Sequence, residues 1–200
     1  MDDRDARTLD FYAVEAQAYA GRPRDAEHLR IDRFVAHAPA GGRILELGCG
    51  GGQDSAEMLA RGFDVVPTDG SPELAAEAEK RLGQPVRVLL FEDLAEIEAY
   101  DGIWAHACLL HAPRAALPGI IDRIHAALKP GGVFYASFKA GETEGRDGFG
   151  RYFNYLSGSD LVSAFGSPSR WQSLTIDEDM GGGYDQKPTR WLHALALKEA

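Results

Sequence analysis

An acidic residue leads a run of glycines in Ile44-Leu45-Glu46-Leu47-Gly48-Cys49-Gly50-Gly51-Gly52. Gly48, Gly50 and Gly52 carry no Cβ, so the backbone there can turn tightly and lie against a ligand. Spacing separates the possible ligands. A G-x-G-x-x-G dinucleotide turn counted from Gly48 needs a small residue where Gln53 stands, and no Gly-Lys-Ser/Thr follows to make a P-loop. The second reactive stretch is Trp104-Ala105-His106-Ala107-Cys108-Leu109-Leu110-His111. An imidazole titrates near neutrality and is the commonest general base, so His106 and His111 are the catalytic candidates, each with the alternative of a structural role. A metal site is not expected, because the pair lacks both a third ligand and the i, i+4 spacing of a helical zinc pair.

These residues need a scaffold that delivers strand ends to one place. From Gly41 to Lys139 apolar strand-like runs alternate with amphipathic stretches, which predicts an α/β fold with a doubly wound, mainly parallel sheet. Strands are expected at 43–47, 64–68, 86–91, 102–106 and 132–138, and helices at 54–61, 72–82 and 115–128. Ser71-Pro72 supplies an N-cap and a first-turn proline for the second of these helices. Upstream, 6–19 and 26–38 read as helices split by Gly21-Arg22-Pro23, forming a cap over the ligand-bearing edge. Downstream, a short helix is expected at 161–165. Runs at 170–176 and 189–197 flank Gly181-Gly182-Gly183 and predict an antiparallel hairpin at the far edge, for seven strands in all.

The pattern Glu-x-Gly-x-Gly-x-Gly at the end of the first strand resembles the first signature of class I S-adenosylmethionine-dependent methyltransferases of the small-molecule type. Further segments match the same family across 41–138. Asp69, in Val65-Val66-Pro67-Thr68-Asp69-Gly70-Ser71, stands where the family places an acid that accepts from both ribose hydroxyls. Phe91-Glu92-Asp93-Leu94 resembles the adenine-binding segment, with Asp93 expected on the exocyclic amine and Leu94 packing or making a backbone contact. Leu128-Lys129-Pro130-Gly131-Gly132 resembles the turn before the fifth strand. The resemblance implies S-adenosylmethionine as cofactor, held by Glu46, Gly48, Cys49, Gly50, Asp69, Gly70, Ser71, Glu92, Asp93, Leu94 and Ala107. Local alternatives stand beside three of these: Glu46 as a strand-end cap, Asp69 as a turn former, and Asp93 as a helix cap with Glu92 taking its place.

Direct displacement at a sulfonium needs alignment and exclusion of water more than a catalytic triad. The acceptor is expected against the segment after the fifth strand, 139–155, with four glycines from Gly141 to Gly150 and then clustered aromatics. Long connections of that kind serve as lids or binding loops, or else pack their aromatics on the sheet. Lys139, Arg146 and Arg151 are candidates to hold an anionic acceptor, Tyr152 and Tyr155 to stack on it, and Tyr12 and Tyr19 to complete the lid. Trp191 reads as core.

Length and composition bound the rest. Two hundred residues with 44% apolar content make one domain, comprising a helical cap (1–40), a cofactor core (41–139) and an acceptor loop with hairpin (140–200). A net charge of -10 without a basic stripe argues against nucleic acid or anionic membrane and for a small-molecule acceptor. Two cysteines and an acidic N-terminus predict a cytoplasmic protein. Two rivals are a regulatory module that binds S-adenosylmethionine without catalysis and a nicotinamide-dependent oxidoreductase. Gln53 and the terminal hairpin speak against the latter.

Overall fold

The computed structural model describes residues 5–24, 27–166, 170–185 and 187–200. Ala26, the expected start of the second N-terminal helix, lies outside them.

The central strands are buried on both faces, and the two-residue period of a strand divides their side chains between two cores. In β1 (Arg43–Glu46), Ile44 points into one core and Leu45 into the other. Trp104 and Ile103 divide in the same way in β4 (Tyr100–Ala105), as do Tyr135 and Phe134 in β5 (Leu128–Lys139). One core is closed by Ile31 and Phe34 of α3 (His28–Val35) and Met58 of α4 (Gln53–Ala60). The opposite core takes Ile120, Ile121 and Ile124 of α6 (Leu117–Ala127). Such two-sided burial explains why these strands read as continuous apolar runs.

With β2 (Asp64–Asp69), β3 (Arg87–Val88), β8 (Trp171–Gly182) and β9 (Pro188–Lys198), the sheet has seven strands in the order β3-β2-β1-β4-β5-β9-β8. The first five run parallel, and β9 and β8 are antiparallel to their neighbours. From β1 the chain winds outward through β2 to β3 and then returns to place β4 on the other side of β1. That reversal opens a crevice outside the carboxyl ends of β1 and β4.

Several boundaries differ from expectation for identifiable reasons. The run at 86–91 keeps only two paired residues, because Phe91–Asp93 folds into a 3₁₀ turn. Residues 128–132, expected as a turn, belong to β5. Leu128 pairs with Tyr100, the register then slips, and Gly131 adopts φ 76° in the resulting irregularity. The helix expected over 6–19 breaks at Glu15 into α1 (Ala6–Val14) and α2 (Ala16–Gly21). Ala16 and Ala20 pack on Leu74 of α5 (Pro72–Leu82), so this cap is fastened to the core. The segment after β5 folds into a small hairpin of β6 (Gly145–Arg146) and β7 (Tyr152–Phe153). Inside it Asp147 and Arg151 form a buried ion pair, Nη2 to Oδ2 at 2.7 Å. The helix expected at 161–165 is α7 (Gly158–Ala164), opened by a Ser157/Asp160 capping box. Among the described residues no helix is long and apolar enough to cross a membrane.

Candidate active site

The crevice holds a cleft of about 720 Å³ floored by Gly48, Gly50, Asp69 and Gly70 and roofed by Leu9, Tyr12 and Tyr19 of the cap. Position 48 demands glycine twice over: φ is 63°, and a Cβ would stand 2.4 Å from Cβ of Cys108. Asp69, at the end of β2, is 7% exposed and accepts from the backbone N–H of Gly50 and Ser71, each at 2.9 Å. Burial pushes its pKa up to about 6 against the opposing effect of those donors. Each carboxylate oxygen keeps a lone pair for a further donor such as a vicinal diol. Ser71 itself caps α5, its Oγ accepting from Leu74 N.

On the far wall Leu89, Leu90 and Phe91 supply apolar surface and Glu92 a carboxylate. The 3₁₀ turn rotates Asp93 into solvent, and Leu94 is buried in the core, so neither lines the cleft.

Glu46 and Cys49 face a smaller adjoining recess of about 410 Å³. Glu46 is buried and accepts from Ser55 Oγ. Burial, reinforced by the charge of Asp54, raises its pKa to about 8. Asp54 also lines the recess and is the residue that sequence reasoning missed. It accepts from Arg24 Nη2 at 2.9 Å, Trp104 Nε1 at 3.1 Å and the backbone N–H of Glu27 at 3.2 Å. Burial opposes its ionisation, but the hydrogen bonds and charges of His106 and Arg24 prevail and hold it below the ordinary carboxylate range. An acid in the first turn after a glycine loop was the available signal, but its partners lie 30 and 52 positions away.

The third space, about 1340 Å³, lies beyond the end of β4. His106 and His111 both line it and differ in kind. His106 has Nδ1 2.7 Å from Arg24 and 3.1 Å from Asp54, while Nε2 stands 3.9 Å from Glu27. His111 is locked: Nδ1 donates to the Tyr152 carbonyl at 2.6 Å, so Nε2 must accept from Tyr12 Oη at 2.9 Å. Burial lowers its pKa to about 3, and it stays neutral. Arg151 donates to the same Tyr12 Oη at 3.1 Å, tying the cap to the β6–β7 hairpin.

Of the residues expected to hold an acceptor, Tyr12, Tyr19, Lys139 and Arg151 line this space. Arg146 lies outside it on the surface, paired with Asp5. Tyr152 bonds Glu144 through its hydroxyl, and Tyr155 stacks on Phe153, both away from the cavity. Trp191 is 8% exposed and belongs to the core as expected, while one side of it faces the cavity. Ala107 and Tyr19 border all three spaces. Ala107 holds φ 52°, a left-handed backbone at a non-glycine residue, and donates its N–H to Ser137 Oγ at 2.8 Å. Strained backbone of this sort is concentrated at functional sites.

Comparison with known proteins agrees with this fold. A family model described as a methyltransferase domain matches residues 20–165. An uncharacterized methyltransferase of Synechocystis is 36% identical over 96 residues, which is 47% of this chain and 45% of that protein. A ubiquinone biosynthesis O-methyltransferase of Xanthomonas axonopodis is 37% identical over 106 residues, 50% of this chain and 44% of that protein. The chain thus spans about half the length of these curated relatives. The 1,6-didemethyltoxoflavin-N1-methyltransferase of Burkholderia thailandensis, solved with 1,6-didemethyltoxoflavin and S-adenosylhomocysteine, superposes with a TM-score of 0.74 at 23% identity. The superposition covers 98% of this chain and 88% of that one. With the family model spanning most of its length and the seven-stranded sheet intact, the chain belongs to the methyltransferase-domain family in its class I, Rossmann-like form.

Proposed function

We propose that the chain binds S-adenosylmethionine in the glycine-floored cleft and transfers its methyl group to a small molecule in the larger cavity. The observation that carries this reading is the junction at Ala107 and Tyr19, where the two spaces share a wall. The residues present suit an adenosyl ligand. Gly48 and Gly50 leave bare backbone on the cleft floor, Asp69 offers accepting lone pairs to a ribose, and Glu92 with Leu89 to Phe91 forms an apolar slot bordered by one acid, as a purine amine needs. Glu46 and Cys49 border the recess suited to the amino-acid end.

When bound, the cofactor supplies an electrophilic methyl on a good leaving group. The chain's part is to align the acceptor, exclude water beneath the Tyr12–Tyr19 cap and receive a proton. His106 is the group for that last task. With Nδ1–H donating to Asp54, Nε2 keeps the lone pair that can accept a proton from an acceptor. Asp54 is then a positioning residue, and His111, with both nitrogens engaged, braces the lid. Free, buried Cys49 and Cys108 suit a reducing cytoplasm, and a net charge of -10 suits a small-molecule acceptor better than nucleic acid.

Calorimetric titration with S-adenosylmethionine and S-adenosylhomocysteine tests the reading. Binding of both is expected, and binding of neither by folded protein overturns it. Release of S-adenosylhomocysteine across a metabolite panel is expected as well. Cofactor binding with no turnover on any acceptor supports the regulatory alternative instead.

A further inference from the structure

The larger cavity is rich in cations, yet most are already engaged by this chain's own groups. Arg24 is paired with Asp54, Arg30 with Asp179, and Arg151 with Asp147. Arg22 lies over the Tyr19 ring at 3.9 Å and donates to its hydroxyl. Lys139 differs. It ends β5, is 6% exposed and faces the cavity, and among the described residues its ammonium has neither a hydrogen-bond acceptor nor a carboxylate within salt-bridge reach.

Its surroundings are aromatic instead. Nζ lies 4.4 Å from the Phe153 ring centroid and 6.0 Å from that of Trp191. Cation–π contact compensates such a charge only partly. A lysine is rarely so buried without an anion, because desolvation opposes its charge. That desolvation lowers the pKa of Lys139 although the field of Asp185 pushes the other way. On the same wall, Gly183 leaves a gap in which a Cβ would stand 3.0 Å from both Nζ and Asp185 Oδ1, so that carboxylate lies across the gap and beyond salt-bridge reach of the ammonium.

We propose that Lys139 is the specificity-determining residue for the acceptor, and that the acceptor is a small organic monoanion, a carboxylate on a flat apolar body. Its carboxylate completes the hydrogen bonding of the ammonium, and its body lies against Phe153 and Trp191. Charge count favours one negative charge over the two of a phosphate monoester: the pairs Arg24–Asp54, Arg30–Asp179 and Arg151–Asp147 cancel, and among the described residues Arg22 and Lys139 have no carboxylate partner while Glu27 has no lysine or arginine partner, which leaves a net charge of about +1. This inference rests on the larger cavity being the acceptor site.

The test titrates the full chain, saturated with S-adenosylhomocysteine, with matched probes: benzoate against benzamide, and 2-naphthoate against 2-naphthamide. In wild type at least one acid is expected to bind about tenfold more tightly than its amide, the ratio one charge-assisted hydrogen bond supplies. K139Q is expected to bring that ratio close to one, and K139R to restore most of it, with S-adenosylhomocysteine affinity unchanged in both. Amides that bind as well as acids, an acid preference that survives in K139Q, or no binding of any probe to the nucleoside-loaded protein each overturn the proposal while leaving the methyltransferase reading intact. Failure of S-adenosylhomocysteine itself to bind overturns that reading instead. Should K139Q not fold, K139M is the second variant, and an acid preference that survives in it overturns the proposal equally.

Discussion

The two large cavities share a wall of Tyr12, Tyr19, Ala107 and His111 but are otherwise made of different material. The cleft proposed for the cofactor is floored by backbone and short side chains at strand ends, Gly48, Gly50 and Asp69, and its carboxylate Asp69 is positioned by backbone N–H groups. The cavity proposed for the acceptor is walled by long side chains from the cap, from the β6–β7 hairpin and from β8 and β9, held in place by one another. Backbone-built sites follow from the fold and tolerate little change. Side-chain-built sites can be rewritten one residue at a time, so one scaffold can serve many acceptors.

The largest effect should come from G48A. The strained φ and the collision with Cys108 are expected to destabilise the fold by about 3 kcal/mol or more, read as a lowered denaturation midpoint in urea. A change under about 1 kcal/mol would show that the floor is softer than the comparison holds. D69A comes next: affinity for S-adenosylhomocysteine should fall about a hundredfold as two charge-assisted bonds are lost, with the acceptor walls untouched. Unchanged affinity refutes the ribose role.

Y12F sharpens the contrast from the other side. It strips the hydroxyl that His111 and Arg151 share and should cost about 1–2 kcal/mol in stability. KM for an acceptor should rise more than that for the cofactor, and an equal rise in both would mean that the cap belongs to the cleft as much as to the cavity.

The smallest effect is in pH. Asp69 has its pKa raised to about 6 by burial and can accept charge-assisted bonds from both ribose hydroxyls only where ionised, so cofactor affinity should be full at pH 7 and above and decline as pH falls through 6. The expected loss is roughly fourfold between pH 7 and 5.5, the ratio of ionised fractions, and D69N should flatten the profile. A wild-type profile flat across that range would place the controlling carboxylate elsewhere.

The same division decided what could be read before the structure. Glu46, the glycine turn, Asp69 and the Ser71-Pro72 cap are local patterns, and α5 occupies the expected 72–82. The choice between Glu92 and Asp93 turned on a three-residue 3₁₀ turn, in which neighbouring side chains point far apart and no periodicity reveals which faces inward. Asp54 is not legible as a site residue, because Arg24, Trp104 and His106 reach it only through tertiary folding. The glycines of 139–155 predict a long loop, but the Asp147–Arg151 pair and the β6–β7 ladder order it.

Tyr19 borders both large cavities, and Tyr12 beside it is fastened to His111 and Arg151. In kinetic terms a shared lid makes exchange of nucleoside and acceptor a single gated event. Turnover on a good acceptor should therefore begin with a burst of methylated product near one equivalent per chain, followed by a slower steady rate set by lid opening. Y12F, with the latch cut, should shrink the burst and quicken the steady phase.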